Sequence, residues 1–120
     1  MEHSDTELIK AATDVRENAY APFSEFKVGS ALETDDGQII VGSNVESASY
    51  GLTVCAERVA VWNAISQGKR KIKRIAVVAD TESLTPPCGV CRQIIWEFCG
   101  DIPVLLANLK GKTETVQMRD

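Results

Sequence analysis

Two short segments of the sequence carry side chains that could hold and use a metal ion. Cys55 and Glu57 stand two residues apart in the first segment, and Cys88 and Cys91 form a C-x-x-C pair in the second. In the first turn of a helix, residues three apart lie on one face, so both thiols of the pair would point the same way. If a helix also begins at Cys55, the side chains of Cys55 and Glu57 can both point toward a position beyond its N-terminal end. Two such helix starts facing each other would surround one point with three thiolates and a carboxylate.

This set of ligands suits a zinc ion that keeps one coordination position for water. Zinc binds sulfur tetrahedrally, and three protein ligands with an open fourth position are typical of catalytic rather than structural sites. Zinc-bound water ionises near neutral pH, and Glu57 could take up its proton without being a ligand. The positive ends of two helices and the guanidinium of Arg58 could offset the excess negative charge of three thiolates. We therefore predict one zinc ion per chain, with Cys55, Cys88 and Cys91 as ligands and Glu57 as the catalytic group.

The C-x-x-C pair by itself is also compatible with a structural zinc site or with a redox pair. A structural site usually needs a fourth cysteine or histidine. Cys99 lies eleven residues after Cys88, which is about three turns along the same helix, and His3 lies near the N-terminus. We expect Cys99 to be a small buried apolar residue. A redox pair would leave the first segment, with Cys55 and Glu57, unexplained.

Helices and apolar strands alternate along the chain, and this order predicts an α/β fold. A capping box formed by Ser4 and Glu7 should begin the first helix, and Pro22 should end it. Gly68 and Gly100 suit the ends of the two helices that carry the cysteine segments. The predicted helices are 5–19, 54–67 and 88–99, and the predicted strands are 26–33, 39–41, 75–79, 102–107 and 113–118. Together they predict a three-layer α/β/α sandwich with a mixed sheet of roughly five strands.

Length, composition and charge bound the class of protein. The chain has 120 residues and a net charge of −4, with 44% apolar and 25% charged residues. These values fit one globular domain over residues 1–120 and argue against a nucleic-acid partner, since such domains are usually basic. The sequence has no apolar stretch of membrane-spanning length and no apolar leader, so we expect a cytoplasmic protein without a membrane partner. The basic run at 69–74 is interpreted as a solvated loop that complements the C-terminus of the preceding helix.

Several motifs together resemble those of the zinc-dependent deaminases. The residues C-A-E-R at 55–58 and P-C-G-V-C-R-Q at 87–93 are similar to the zinc-binding signature of these enzymes, in its three-cysteine form. The segments Y-A-P-F-S at 20–24, F-K-V-G at 26–29 and N-V-E at 44–46 are similar to segments of the small, homotetrameric cytidine deaminases. The resemblance to this family covers nearly the whole chain.

The resemblance implies an activity and a mechanism. It implies hydrolytic deamination of cytidine and 2′-deoxycytidine to uridine and 2′-deoxyuridine, a reaction of pyrimidine salvage. In this family zinc-bound hydroxide attacks C4 of the cytosine ring, and the counterpart of Glu57 passes protons to ring N3 and to the leaving ammonia. The expected partner is therefore a small nucleoside substrate.

The resemblance also implies contacts to the nucleoside and between chains. The backbone N–H of Ala56 would bind the base carbonyl, and Phe26 would lie along the nucleoside. Asn44 and Glu46, with Val45 between them, would bind the 3′-hydroxyl of the sugar. A site that pairs this hydroxyl with an amide and a carboxylate disfavours ligands without it, because its own polar groups would lose a partner. The homotetramer of the family is expected as well.

Three alternatives to this interpretation stay open. A deaminase of a cytosine-bearing antibiotic such as blasticidin S would not need the pair Asn44 and Glu46. A nucleic-acid base deaminase would be expected to have a basic face. A non-catalytic, zinc-stabilised binding module would have no use for Glu57. Members of the resembled family continue to an aromatic residue near the C-terminus, whereas this sequence ends at Asp120 without one. From this we expect a site that accepts cytidines modified on N4 or on the sugar.

Overall fold

The helices and strands follow the order that the sequence predicts. The computed structural model describes residues 4–23, 25–48, 54–80 and 89–117, with the backbone alone for 89–92. The helices are α1 (Asp5–Arg16), α2 (Ala56–Ser66) and α3 (Gly89–Cys99). The strands are β1 (Val28–Thr34), β2 (Ile39–Ser43), β3 (Ile72–Ala79), β4 (Pro103–Asn108) and β5 (Thr113–Gln117). Within these ranges, no helix has the length and apolar character needed to cross a membrane.

The strands form one mixed sheet in the order β2-β1-β3-β4-β5. Strands β3 and β4 are parallel, and the other neighbouring strands are antiparallel. The last five residues of β3 are all buried, as expected of a strand that is covered on both faces. The predicted mixed sheet of roughly five strands is confirmed.

Helices cover both faces of this sheet. On one face, Leu8 and Ala12 of α1 pack with Ala31, Val78 and Leu105. On the other face, the buried residues of α2 and α3 pack with the alternate side chains of the same strands. Both clusters draw on the same strands because successive side chains of a strand point to opposite faces. The predicted three-layer α/β/α sandwich is therefore confirmed.

One edge of the sheet gathers the segments on which the predicted site depends. Val28 at the start of β1 pairs with Ala79 at the end of β3, and Ala79 pairs with Asn108 at the end of β4. Beside Val28, Gly29 pairs with Ser43 at the end of β2. The start of β1 and the ends of β2, β3 and β4 therefore lie together, and we call this edge of the sheet the site edge.

Short connections bring the starts of α2 and α3 to the site edge. Residues 67–71 join α2 to β3, and residues 100–102 join α3 to β4. Connections of this length make each helix fold back along the strand that follows it. Since β3 and β4 are parallel and α2 contacts α3, both helices begin at the site edge. Ligands of open α/β sheets bind at such an edge, outside the carboxyl ends of parallel strands.

Two glycines allow the helices to lie very close to the sheet. A Cβ atom at Gly42 would collide with backbone atoms of Ala56 and Ala60, and one at Gly29 would collide with the backbone of Ala12. Glycine inside a strand often marks such a close approach. Gly42 therefore determines how closely the first turn of α2 approaches β2.

The first helix is shorter than predicted. The sequence predicts a helix over 5–19, but α1 ends at Arg16. The N–H groups of residues 18 and 19 bond to carbonyl oxygens three residues back, which tightens the chain after the helix. The N–H of Tyr20 then donates to the carbonyl oxygen of Asn44 at 3.0 Å. The hydrogen bond of Tyr20 to the distant residue Asn44, rather than Pro22, thus determines where the helical conformation ends.

The basic run also differs from the prediction of a loop, since β3 begins at Ile72 and includes Arg74. Arg74 Nε donates to the carboxylate of buried Glu33 on the neighbouring strand, at 2.8 Å. In the connection that remains, Arg70 donates to the carbonyl oxygen of Ile65 in the last turn of α2, at 2.8 Å. This second contact is the expected interaction of a cation with a helix C-terminus.

Candidate active site

The first of the two predicted metal-binding segments begins α2. Cys55 is the N-cap residue of the helix, in an extended conformation, and its side chain makes no capping hydrogen bond. Ala56 and Glu57 follow in the first turn, where Ala56 is fully buried and Glu57 is 5% exposed. So little exposure keeps Glu57 largely out of contact with bulk water.

Helix α2 carries Arg58 between Cys55 and Trp62, and Arg58 contacts both side chains. Residues 55, 58 and 62 are spaced by three and four positions, so they lie on one face of the helix. Arg58 Nη2 donates toward Cys55 Sγ, at 4.0 Å. The same guanidinium lies over the ring of Trp62, with Arg58 Cζ 5.8 Å from the ring centroid. The positive charge of Arg58 is thus held next to a sulfur atom for which the sequence predicts metal binding.

Asn44 ties the end of β2 to the start of β1. Its Nδ2 donates to the carbonyl oxygen of Phe26 at 2.8 Å, and its Oδ1 accepts from the N–H of Val28 at 2.9 Å. These bonds hold Phe26, which is 39% exposed, at the site edge. The sequence predicts a sugar contact for Asn44, and the structure adds this bridging role.

Residues 44–46 leave β2 as an extended segment between two other parts of the chain. Val45 pairs with Val54 through hydrogen bonds in both directions, each 2.9 Å long. On the other side, Val45 pairs with Tyr20 in the parallel sense. Because Val54 directly precedes Cys55, these bonds place the segment 44–46 next to the start of α2.

Glu46 is anchored by the turn that follows α1. One of its carboxylate oxygens accepts a hydrogen bond from the backbone N–H of Phe23 at 3.0 Å. Phe26, which Asn44 holds at this edge, is 39% exposed, so aromatic surface lies close to the polar groups of Asn44 and Glu46. Such a combination suits a ligand that has a flat ring and a hydroxylated part.

The second predicted metal-binding segment is described from residue 89 onward, where α3 begins. Cys91 lies in the first turn of this helix, whereas Cys88 lies outside the described residues. Among the side chains that the structure describes, no three histidine, cysteine, aspartate or glutamate residues form a metal-binding group. The fold does place Cys55 and Cys91 at helix starts on the site edge, and thiolates are ligands that zinc prefers. In their chemistry and their place in the fold, Cys55 and Cys91 therefore fit a zinc ion.

Cys99 lies at the other end of α3, away from the site edge. It packs against the core between the helices and the sheet, as predicted for a small apolar residue. Burial raises the pKa of its thiol to about 12. Its position separates it from the cysteines that are predicted to bind the metal.

We expect Cys99 to react with iodoacetamide about a thousandfold more slowly in the folded than in the unfolded protein. The thiolate is the reactive form, and at pH 8 a pKa of about 12 leaves about a thousandth of the thiolate expected at the ordinary value of 9.0. Between about pH 9 and 12 the unfolded state loses this proton first, so the free energy of unfolding falls as pH rises there. Mass spectrometry of labelled peptides measures the rates, and equal rates in both states would contradict the prediction.

Comparison with known protein families and structures agrees with the fold. The family model described as "Cytidine and deoxycytidylate deaminase zinc-binding region" matches residues 2–106. The chain therefore belongs to the cytidine and deoxycytidylate deaminase family.

Individual relatives support the same membership. A cytidine deaminase of Halalkalibacterium halodurans is 51% identical to this chain, over 94% of the chain and 86% of the relative. The crystal structure of a cytidine deaminase from Burkholderia pseudomallei matches with a TM-score of 0.94 at 44% identity, over 97% of this chain and 94% of that one. A blasticidin-S deaminase of Bacillus cereus is more distant, at 32% identity over 90% of this chain and 81% of the relative.

Three residues shape this region without having been predicted to do so. Trp62 lies against Arg58, and its only signal in the sequence is the spacing of four positions between them. Gly42 gives a clearer signal, since a glycine inside a strand suggests a close approach. Phe23 lies in the segment 20–24 that resembles the family, but no local signal predicts its bond to Glu46, because this bond joins residues that are far apart in the sequence.

Proposed function

We propose that the protein is a zinc-dependent cytidine deaminase that hydrolyses cytidine and 2′-deoxycytidine to uridine and 2′-deoxyuridine. The observation that carries this proposal is the buried Glu57 in the first turn of α2, two residues after Cys55. Val54, which directly precedes Cys55, pairs with Val45 in the segment 44–46. A candidate metal ligand, a proton-transfer group and a candidate sugar-binding segment thus meet at one edge of the sheet. The identity of 51% with a cytidine deaminase supports the same activity.

In this proposal Cys55, Cys88 and Cys91 hold one zinc ion per chain. The matched family model describes a zinc-binding region, which supports the metal. Two helix starts and the guanidinium of Arg58, 4.0 Å from Cys55 Sγ, provide positive charge around the thiolates. When bound, zinc supplies the Lewis acidity that makes water a nucleophile at neutral pH.

Glu57 is proposed to move the protons of the reaction. Its carboxylate takes a proton from the attacking water and gives it to ring N3. It then takes the proton of the new hydroxyl group on C4 and gives it to the amino group, which leaves as ammonia. Since Glu57 is almost fully buried, bulk water competes little for these protons. The first turn of α2, which carries Glu57, lies close to β2 at Gly42.

Five residues are proposed to bind the nucleoside. The backbone N–H of Ala56 binds the base carbonyl, and Phe26 and Val45 provide apolar contact. Asn44 uses one amide N–H for the carbonyl of Phe26, and its second N–H is proposed to donate to the 3′-hydroxyl. One oxygen of Glu46 accepts a hydrogen bond from the N–H of Phe23, and the carboxylate is proposed to accept a second one from the 3′-hydroxyl.

The assembly and location of the protein are proposed from the sequence. We propose a single domain over residues 1–120 and a homotetramer, as the resemblance to the small cytidine deaminases implies. A cytoplasmic location follows from the composition and stays a prediction.

An assay with cytidine, with zinc measured in the same purified sample, tests the proposed function. Loss of cytosine absorbance together with about one zinc per chain would support it. Zinc without turnover of cytidine or 2′-deoxycytidine would contradict the proposed substrate. Turnover of blasticidin S would then favour the activity of the more distant relative, a blasticidin-S deaminase. A protein with neither zinc nor turnover would contradict the metal site as well.

Glu46→Gln should weaken selection for the 3′-hydroxyl group. The wild-type enzyme should prefer 2′-deoxycytidine to 2′,3′-dideoxycytidine, because the analogue leaves buried Asn44 and half-buried Glu46 without their proposed partner. A hydrogen bond to a charged group contributes about 1.5–3 kcal/mol and one to a neutral group about 0.5–1.5 kcal/mol, so the change to a neutral amide oxygen should lower kcat/KM for 2′-deoxycytidine about tenfold. The value for the dideoxy analogue should change little.

The measurement that tests this prediction is the ratio of kcat/KM for 2′-deoxycytidine to kcat/KM for 2′,3′-dideoxycytidine. Glu114→Gln makes the same chemical change at an exposed position of β5, and it should leave the ratio as in the wild type. If Glu46→Gln also left the ratio unchanged, the proposed sugar contact of Glu46 would be wrong.

A further inference from the structure

Trp62 is a large side chain that core packing does not explain. Helix α2 buries Ala60, Val61 and Ala64 against the sheet, whereas Trp62 is 45% exposed. Its ring faces the guanidinium of Arg58, with Cζ 5.8 Å from the ring centroid. Tryptophan gives the strongest cation–π attraction of the aromatic residues, which acts within about 6 Å of the ring centroid.

The same guanidinium donates toward Cys55. Its Nη2 lies 4.0 Å from Cys55 Sγ while its Cζ lies over the ring of Trp62. Arg58 is half-buried and its Nε atom is buried, but the end of a long arginine side chain still has several rotamers that would place the charge away from the sulfur atom. An aromatic face that holds one rotamer therefore keeps the charge beside the sulfur atom.

We propose that Trp62 is a positioning residue for the deaminase reaction, because it holds the Arg58 guanidinium beside the Sγ atom of Cys55. This inference rests on the proposed function and adds a residue to its site. A positive charge next to a metal-binding thiolate reduces the negative charge that the thiolate donates, so more of the metal's Lewis acidity remains. Since the chain of contacts from Trp62 ends on Cys55, Trp62 acts on kcat rather than on KM.

A double-mutant cycle with zinc-loaded enzyme tests this inference. Trp62→Leu should lower kcat for cytidine about fivefold with KM nearly unchanged, and Trp62→Phe should restore most of kcat because it keeps an aromatic face. In an Arg58→Gln background, Trp62→Leu should cause no further loss, since its effect passes through the guanidinium. Trp96→Leu removes an exposed tryptophan from α3 and is the matched control, with kcat as in the wild type.

An NMR measurement on the same proteins reports the contact independently of turnover. Side-chain protons of Arg58 that lie over an aromatic ring should resonate upfield of their usual positions in the wild type. Trp62→Leu should abolish this shift, whereas the Trp96→Leu control should keep it. If Trp62→Leu does not fold, Trp62→Gln makes the same comparison, because a polar residue suits an exposed helix position.

Two results would overturn the inference. The first is a loss of kcat in Trp62→Leu that is equally large with and without the Arg58 side chain. The second is an active wild-type enzyme whose kcat and Arg58 signals are both unchanged in Trp62→Leu. A wild type that binds zinc and does not turn over cytidine is a different result, because it contradicts the proposed function before any variant is compared.

Discussion

The Glu57→Gln variant is expected to lose nearly all deamination of cytidine while it keeps its zinc and its fold. A single general acid–base group contributes about 10²- to 10⁴-fold, and Glu57 is proposed to serve two successive proton transfers. Glutamine has the same size and a hydrogen-bonding head group, so it leaves no cavity at this buried position in the first turn of α2. We therefore expect kcat to fall by at least about a thousandfold.

Turnover, zinc content and thermal unfolding of Glu57→Gln are best measured on one preparation. Glu97→Gln makes the same chemical change at an exposed position of α3, and it should leave all three quantities unchanged. If Glu57→Gln kept more than about a tenth of the wild-type kcat, Glu57 would not be the proton-transfer group. If it lost zinc in parallel with activity, the carboxylate would serve the metal site rather than the proton transfers.

Local signals in the sequence predict most elements of this fold. Ser4 and Glu7 form the predicted capping box, and Gly68 has a φ of 82° just after α2, as expected of a C-terminal glycine. Each of these signals depends on residues within one or two turns of the helix. The end of α1 was not predictable in this way, because the chain leaves the helix to bond Tyr20 with Asn44.

In the candidate site, too, local sequence patterns predict some features and miss the contacts between distant segments. The spacing of cysteines and the helix-start pattern identify two segments, and the parallel pairing of β3 with β4 explains how one edge of the sheet receives both. The bonds from Asn44 to Phe26 and from Phe23 to Glu46 span 18 and 23 residues. No local pattern indicates which atoms meet over such separations, so the sequence predicts these residues only as substrate contacts or leaves them out.

Replacement of Cys55 should remove zinc and activity without disrupting α2. Cys55→Ser is the most informative change, because serine is a preferred N-cap residue and the cysteine side chain makes no capping bond of its own. The start of the helix should therefore be kept or strengthened. Zinc takes thiolate, imidazole and carboxylate ligands, so a serine hydroxyl should not replace the lost thiolate. We expect zinc well below one per chain and a loss of kcat of at least about a thousandfold.

Thermal unfolding with and without added zinc separates coordination from folding in this variant. A ligand that binds only the folded state raises Tm, so zinc should raise Tm of the metal-depleted wild type and have little effect on Cys55→Ser. Cys99→Ala is the matched control, because this cysteine lies at the far end of α3 and should be replaceable without loss of zinc. Full zinc and turnover in Cys55→Ser would mean that other residues hold the metal. Equal zinc loss in Cys99→Ala would mean that the loss reports instability of the fold, since a residue so far from the site edge cannot be a ligand of the same ion.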